Sequence, residues 1–300
     1  SMGVGSYTEE DVKNCARAFT GWTVIPALPR YPWGEFLREF EYRPDDHDDS
    51  EKTFLEHQGQ FNGEDIIDII CRQPATARFI SRHLYNFFVA EEPPVPAWPT
   101  TPPQDPSAIE LLSQEYFRSN YELRSMLGVL FDSDFFKQAR YTKVKSPAEL
   151  VAGVMRLVDD YTAAKPRINE ISAACNYMGQ ELLNPPTVEG WHTGKEWIDS
   201  GALVERINFA ADQVGDLSKP GVRRIIERLA AMESSLTPEQ LVDGCLDLAG
   251  PVVVSAERRE VLIASVPSSE RGGCPTDESF GPTVARLLQL IVALREFQLS

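Results

Sequence analysis

The tetrapeptide Ser146-Pro147-Ala148-Glu149 is a complete helix start. The serine hydroxyl can accept from the backbone N–H three residues on, and the glutamate can reach back to the serine N–H. Proline at the first helical position gives up an N–H that has no intrahelical partner. Thr237-Pro238-Glu239-Gln240 repeats this chemistry, and Thr8 precedes the acidic run Glu9-Glu10-Asp11. Asn62 and Pro74 likewise stand before apolar residues at helical spacing. A chain with such starts spread along it must be built largely of short helices. The periodicity predicts them from Thr8 to Phe19, through Ile66–Ile70 and from Pro74 past Phe88. Further helices are predicted at 107–118, 121–131, 147–160, 167–178, 197–214, 220–232, 238–248, 256–265 and 282–297.

Between Trp22 and about Gln60 the pattern changes: Phe36, Phe40 and Tyr42 stand among alternating polar residues. The expected fold is mainly α, an irregular multi-helix bundle with a small β-hairpin or three-strand ribbon near residues 22–60. Residues 93–106 hold seven prolines in fourteen positions and read as a stiff extended linker. That divides the chain into 1–92, the 93–106 linker and 107–300, unless 1–92 is continuous with the rest. Residue identity does not recur from helix to helix, so there is no internal repeat.

The net charge of −16 and a pI near 4.7 argue against nucleic acid or an anionic membrane as partner, since no basic stripe exists to release counterions. No run of about 18 apolar residues is present, so no membrane span is expected. The five cysteines are scattered and never form C-x-x-C, which disfavours a disulfide framework or a thiol-based zinc site. They point to a reducing, cytoplasmic setting, with an exported parent left open.

The phosphate loop, G-x-G-x-x-G, H-E-x-x-H and G-x-S-x-G are all absent. Two stretches remain. In Asp45-Asp46-His47-Asp48-Asp49-Ser50-Glu51, Asp45, His47, Asp49 and Glu56 fall at positions 1, 3, 5 and 12 of a calcium-type loop. They are the candidate ligands for a divalent cation, although position 6 is Ser50 and position 8 is Lys52. The plainer reading is a polar turn. The second stretch, Met178 to Ile198, is rich in proline and glycine and carries Trp191 and Trp197, flat apolar faces with a polar N–H. Trp191, His192, Lys195, Trp197, Arg206 and Asn208 are its candidate partner- or ligand-binding residues. The plainer alternative puts both indoles in the core with Arg206 as a brace. Arg72, Arg78, Arg82 and His83 could form an anion site, or a solvated face.

Tyr7-Thr8-Glu9-Glu10-Asp11-Val12 with Ala18-Phe19-Thr20-Gly21-Trp22 resembles the domain of unknown function 1800 family, large bacterial proteins without an assigned activity. The likeness continues through His47-Asp48, Lys52-Thr53-Phe54-Leu55, Gln73 to Ile80, Lys145 to Leu150 and Gly179-Gln180. It ends with Pro185-Pro186-x-Val188-x-Gly190-Trp191, Trp197-Ile198 and Arg295 to Leu299. Where that pattern often has glycine after Phe-Leu, this chain has Glu56. The resemblance implies the C-terminal part of a longer protein whose helical N-terminal half is missing here. It also implies a protein partner from domain of unknown function 1501, which resembles phosphatases and sulfatases. No catalytic residues come with it.

The expected function is an accessory or protein-interaction module presenting the loop 184–197. The alternatives are a metal-dependent, hydrolase-like enzyme using the His47 hairpin, and carbohydrate binding through Trp191 and Trp197.

Overall fold

The computed structural model describes residues 2–26, 38–163, 165–166, 168–188, 190–191, 193–233, 235–250, 252–267 and 278–300. No helix among them is long and apolar enough to cross a membrane. Backbone proximity divides the chain into two compact units, Ser1–Gln138 and Ala139–Ser300.

The first unit opens with α1 (Glu9–Ala18), started by a Thr8–Asp11 capping box. Strands β1 (Trp22–Pro26) and β2 (Arg38–Tyr42) pair antiparallel, with Trp22 opposite Tyr42 and Val24 opposite Phe40. Strands β3 (Lys52–Phe54) and β4 (His57–Gly59) form a second pair. The described part of 22–60 is thus two separate two-stranded sheets, not one ribbon. A single 3-10 turn at Pro44–Asp46 and the acidic stretch that follows break the pairing between them. Gly21 makes the reversal into β1: its φ is +82°, and a Cβ there would lie 2.6 Å from the Arg43 carbonyl oxygen. Ala18, Phe54, Ile66 and Ile69 close a small core where α1 packs on β3 and on α2 (Gly63–Cys71).

Helices α3 (Pro74–Phe88), α4 (Pro106–Arg118), α5 (Leu123–Asp132) and α6 (Asp134–Gln138) complete this unit, each packing on the next. Residues 93–105 lie inside it and are pinned. Arg82, expected on a solvated face or in an anion site, is buried. It pairs with Glu92 at 2.6 Å and donates to the Thr101 and Pro102 carbonyls. Arg72 makes the expected exposed helical pair, with Asp68.

The second unit contains α7 (Pro147–Val158), α8 (Ile168–Tyr177), α9 (Ser200–Gly215), α10 (Pro220–Ala230), α11 (Pro238–Ala249), α12 (Ala256–Ser265) and α13 (Phe280–Val292). Helix α13 is apolar around most of its girth, and α9, α10, α11 and α12 all pack on it. Its buried Val284, Leu288 and Ile291 centre a core that includes Val154, Val214, Leu229 and Leu241. Five helices, α3, α4, α7, α10 and α11, begin with proline at the first turn. The mainly α expectation holds, with helix limits shifted by a few residues. For example, α9 begins at Ser200 and not at 197, because Asp199 caps it after a 3-10 turn at Gly194–Ile198.

Candidate functional site

The acidic turn of the first unit is held by basic side chains of the chain itself. Arg17 on α1 donates to Asp48 Oδ2 at 2.8 Å and to the Glu51 carbonyl, and its Nη2 meets the Ser50 hydroxyl. Lys52 is 1% exposed, and its ammonium donates to the Ser50 carbonyl at 3.0 Å and to the Asp48 carbonyl. A lysine ammonium therefore sits where two carbonyls of this turn converge. The Arg17 guanidinium, helped by the Ser50 hydroxyl and N–H, holds the Asp48 carboxyl well below the usual carboxylate range.

His47 Nδ1 lies 2.9 Å from the Thr20 carbonyl oxygen, which can only accept, so Nδ1 carries the proton. Its Nε2 is 3.9 Å from Asp49 Oδ1, while Asp45 and Asp49 are exposed. Glu56 lies in the two-residue turn of the β3–β4 hairpin, where Leu55 and Glu56 have φ of 45° and 67°. Asp11 Oδ1 accepts from the Leu55 N–H at 2.8 Å, tying that turn to the start of α1. Among the described residues no three His, Cys, Asp or Glu side chains gather as a metal-ligand set.

In the second unit, α8 ends in a Schellman motif. Gly179 has φ +94°, its N–H bonds the Asn176 carbonyl, and the Gln180 N–H bonds the Cys175 carbonyl at 2.8 Å. Gln180 then accepts from the Ala148 N–H, satisfying a free donor in the first turn of α7. The chain continues into an exposed loop. A tight turn closes Thr187 on Gly190, and the Trp191 indole N–H reaches the Glu181 carbonyl at 3.1 Å. At the far end Asp199 Oδ1 accepts from the Gly201 and Ala202 N–H groups and starts α9.

An open cavity of about 530 Å³ lies between the end of α8 and the start of α9. Trp197 and Met178, 5% and 2% exposed, form its apolar wall. Gly201, Ala202 and Glu205 share one face of α9, where the two small residues leave the space and Glu205 borders it. Glu196 and Asp199 add two further carboxylates. Tyr177 lies at the rim, 74% exposed.

The loop candidates separate. Trp197 lines the cavity, Trp191 is half-buried and fastens the loop, and Lys195 and Asn208 are exposed. His192 lies outside the described residues. Arg206 is fully buried, donating from Nε to Gln298 Oε1 at 2.9 Å and from Nη2 to the Lys145 carbonyl at 2.8 Å. Burial pulls its pKa down to about 10. Sequence reasoning passed over Tyr177, Leu183, Glu196, Asp199 and Glu205. The signal available for the last two was an acidic helix cap followed by small residues and a carboxylate one turn on.

The sequence pattern of the family described as a protein of unknown function, DUF1800, matches residues 1–299. The chain belongs to the DUF1800 family. No curated protein and no solved structure matches it. The DUF1800 match spans both units, so the acidic turn and the loop with its cavity both fall within the family's own extent.

Proposed function

We propose that this DUF1800 chain is an accessory, protein-binding module, and that it contacts its partner through the 182–191 loop of the second unit. One observation supports this most directly. Leu183 is 96% exposed in a left-handed backbone conformation (φ 64°), and Val188 on the same loop is fully exposed. Large apolar side chains held in water by a braced loop contribute nothing to the core. Displays of that kind mark contact surfaces more often than isolated exposed residues do. The Thr187–Gly190 turn and the Trp191–Glu181 bond order the loop in advance, which lowers the entropy lost on binding.

A domain of unknown function 1501 protein is the first partner to test. With such a protein purified from the same genome, the chain should co-elute in size-exclusion chromatography. The double variant Leu183→Ser, Val188→Ser should lose co-elution while keeping the wild-type melting temperature. Co-elution unchanged in the variant would remove the loop from the interface.

A further inference from the structure

We propose that the cavity between α8 and α9 seats an arginine or lysine side chain from an apolar-flanked segment of a protein partner. This rests on the reading of the 182–191 loop as a contact surface, and it names the chemistry of what binds there.

Three features converge. Among the described residues that line the cavity are the carboxylates Glu196, Asp199 and Glu205, and no lysine, arginine or histidine is among those described lining residues. Its other boundary, Asn176 to Gly179, is the C-terminal end of α8, where the helix dipole places partial negative charge. Its wall includes Trp197, with Tyr177 at the rim, and aromatic faces attract a cation through the ring quadrupole. Carboxylates, a helix C-terminus and π faces all favour a positive group and disfavour an anion. About 530 Å³ is ample for a guanidinium and its methylene stem.

The surroundings set the rest of the partner. Leu182, Leu183 and Val188 are exposed on the loop that leaves the cavity, so the residues flanking the basic one meet an apolar surface. A net charge of −16 would draw such a segment in and repel an acidic one. A free polyamine would use the carboxylates but leave the apolar loop in water, so the whole surface fits a peptide better.

The test is selection from an array of random heptapeptides, read against wild type, Glu196→Gln with Glu205→Gln, and Leu183→Ser with Val188→Ser. These substituted side chains are exposed, and circular dichroism melting confirms that each variant folds. Wild type should select peptides with a central arginine or lysine between apolar residues. Replacing that arginine by citrulline should weaken the best peptide about tenfold, as should the double glutamine variant. The serine variant should weaken arginine and citrulline peptides alike. Selected peptides without a basic residue would overturn the cationic seat and leave the contact loop standing. No selection above background, with co-elution also unaffected by the loop variant, would overturn both. A homodimer in sedimentation that dissociates in the serine variant would put a second copy on this surface, and that also overturns the proposal.

Discussion

Arg206 on α9 donates through Nε to Gln298 Oε1 at 2.9 Å, a bond that joins the first long helix after the loop to the last residues of the chain. Its Nη2 holds the Lys145 carbonyl, so one guanidinium fastens two strand-like segments that also meet at the Val144–Leu299 bridge. Nη1 is buried without a hydrogen-bond partner among the described residues. The group therefore brings both a desolvation cost and two charge-assisted bonds. Arg206→Ala leaves Gln298 Oε1 and the Lys145 carbonyl as orphaned acceptors and opens a void. It should destabilise the second unit by about 2–4 kcal/mol. Arg206→Met keeps the stem packing and sheds the buried charge, so it should cost about half as much. Urea-unfolding midpoints of the two variants check the order.

Gly221, at the start of α10, packs directly on the end of α7. A Cβ there would lie 2.0 Å from the Leu157 carbonyl oxygen and 2.6 Å from the Val158 carbonyl carbon. Both are backbone atoms, so no side chain can swing aside, and the two helices would have to part. Gly221→Ala should cost about 3 kcal/mol or more. Gly128 and Gly153 are exposed within α5 and α7, and a Cβ at either meets nothing within 4 Å. Alanine at those positions should stabilise by about 0.5–1 kcal/mol through helix propensity. Thermal melts of the three single variants should therefore shift in opposite directions.

The helices were legible because their starts are written in local chemistry. Ser146–Glu149 and Thr237–Gln240 need only their own backbone to form a cap, and both capping boxes are present. What sequence could not show was which distant group completes a local cluster. The acidic turn reads as a cation loop until Arg17, some thirty residues earlier, and the inward-turned Lys52 are placed beside it. Glu56 reads as a twelfth-position ligand, yet its backbone makes a turn in a conformation that favours glycine, the residue often found there in the resembling pattern. Arg206 offered the same ambiguity, since partners 61 and 92 residues away leave no mark on its own helix.

Lys52 and Asp48 make the acidic turn testable. Lys52→Met should destabilise the first unit by about 2–3 kcal/mol, because the Asp48 and Ser50 carbonyls lose their shared donor. The folded Asp48 carboxyl titrates below its ordinary value of 3.8, chiefly because of Arg17. Its contribution is therefore fully present above about pH 4 and is lost as pH falls through the depressed folded value. Asp48→Asn should melt below wild type at pH 7, and the gap should narrow progressively as the pH falls below 4. Elemental analysis of protein purified without a metal-affinity step should find far less than one divalent ion per chain, unchanged by alanine at Asp45, His47 and Asp49. Near-stoichiometric metal lost in that triple variant would restore the cation-loop reading.

Arg82 and Glu92 decide whether the proline-rich stretch is ordered. Both are 6% exposed, with Arg82 Nε and Nη2 each donating to Glu92 Oε2. The other oxygen of Glu92 accepts from the Gln104 N–H at 2.8 Å, and the Arg82 guanidinium lies 4.6 Å over the Trp98 ring. Proline alone stiffens residues 93–106 but does not attach them; this buried pair does. Glu92→Gln keeps the shape and removes the countercharge, which should cost about 3–5 kcal/mol. The loss should also appear locally. Thermolysin should cut before Ala97 or Trp98 in the variant at temperatures where the wild-type chain stays intact and both proteins remain helical by circular dichroism. Equal resistance in the two proteins would show that the prolines and the Trp98–Pro93 hydrogen bond hold the segment without the ion pair.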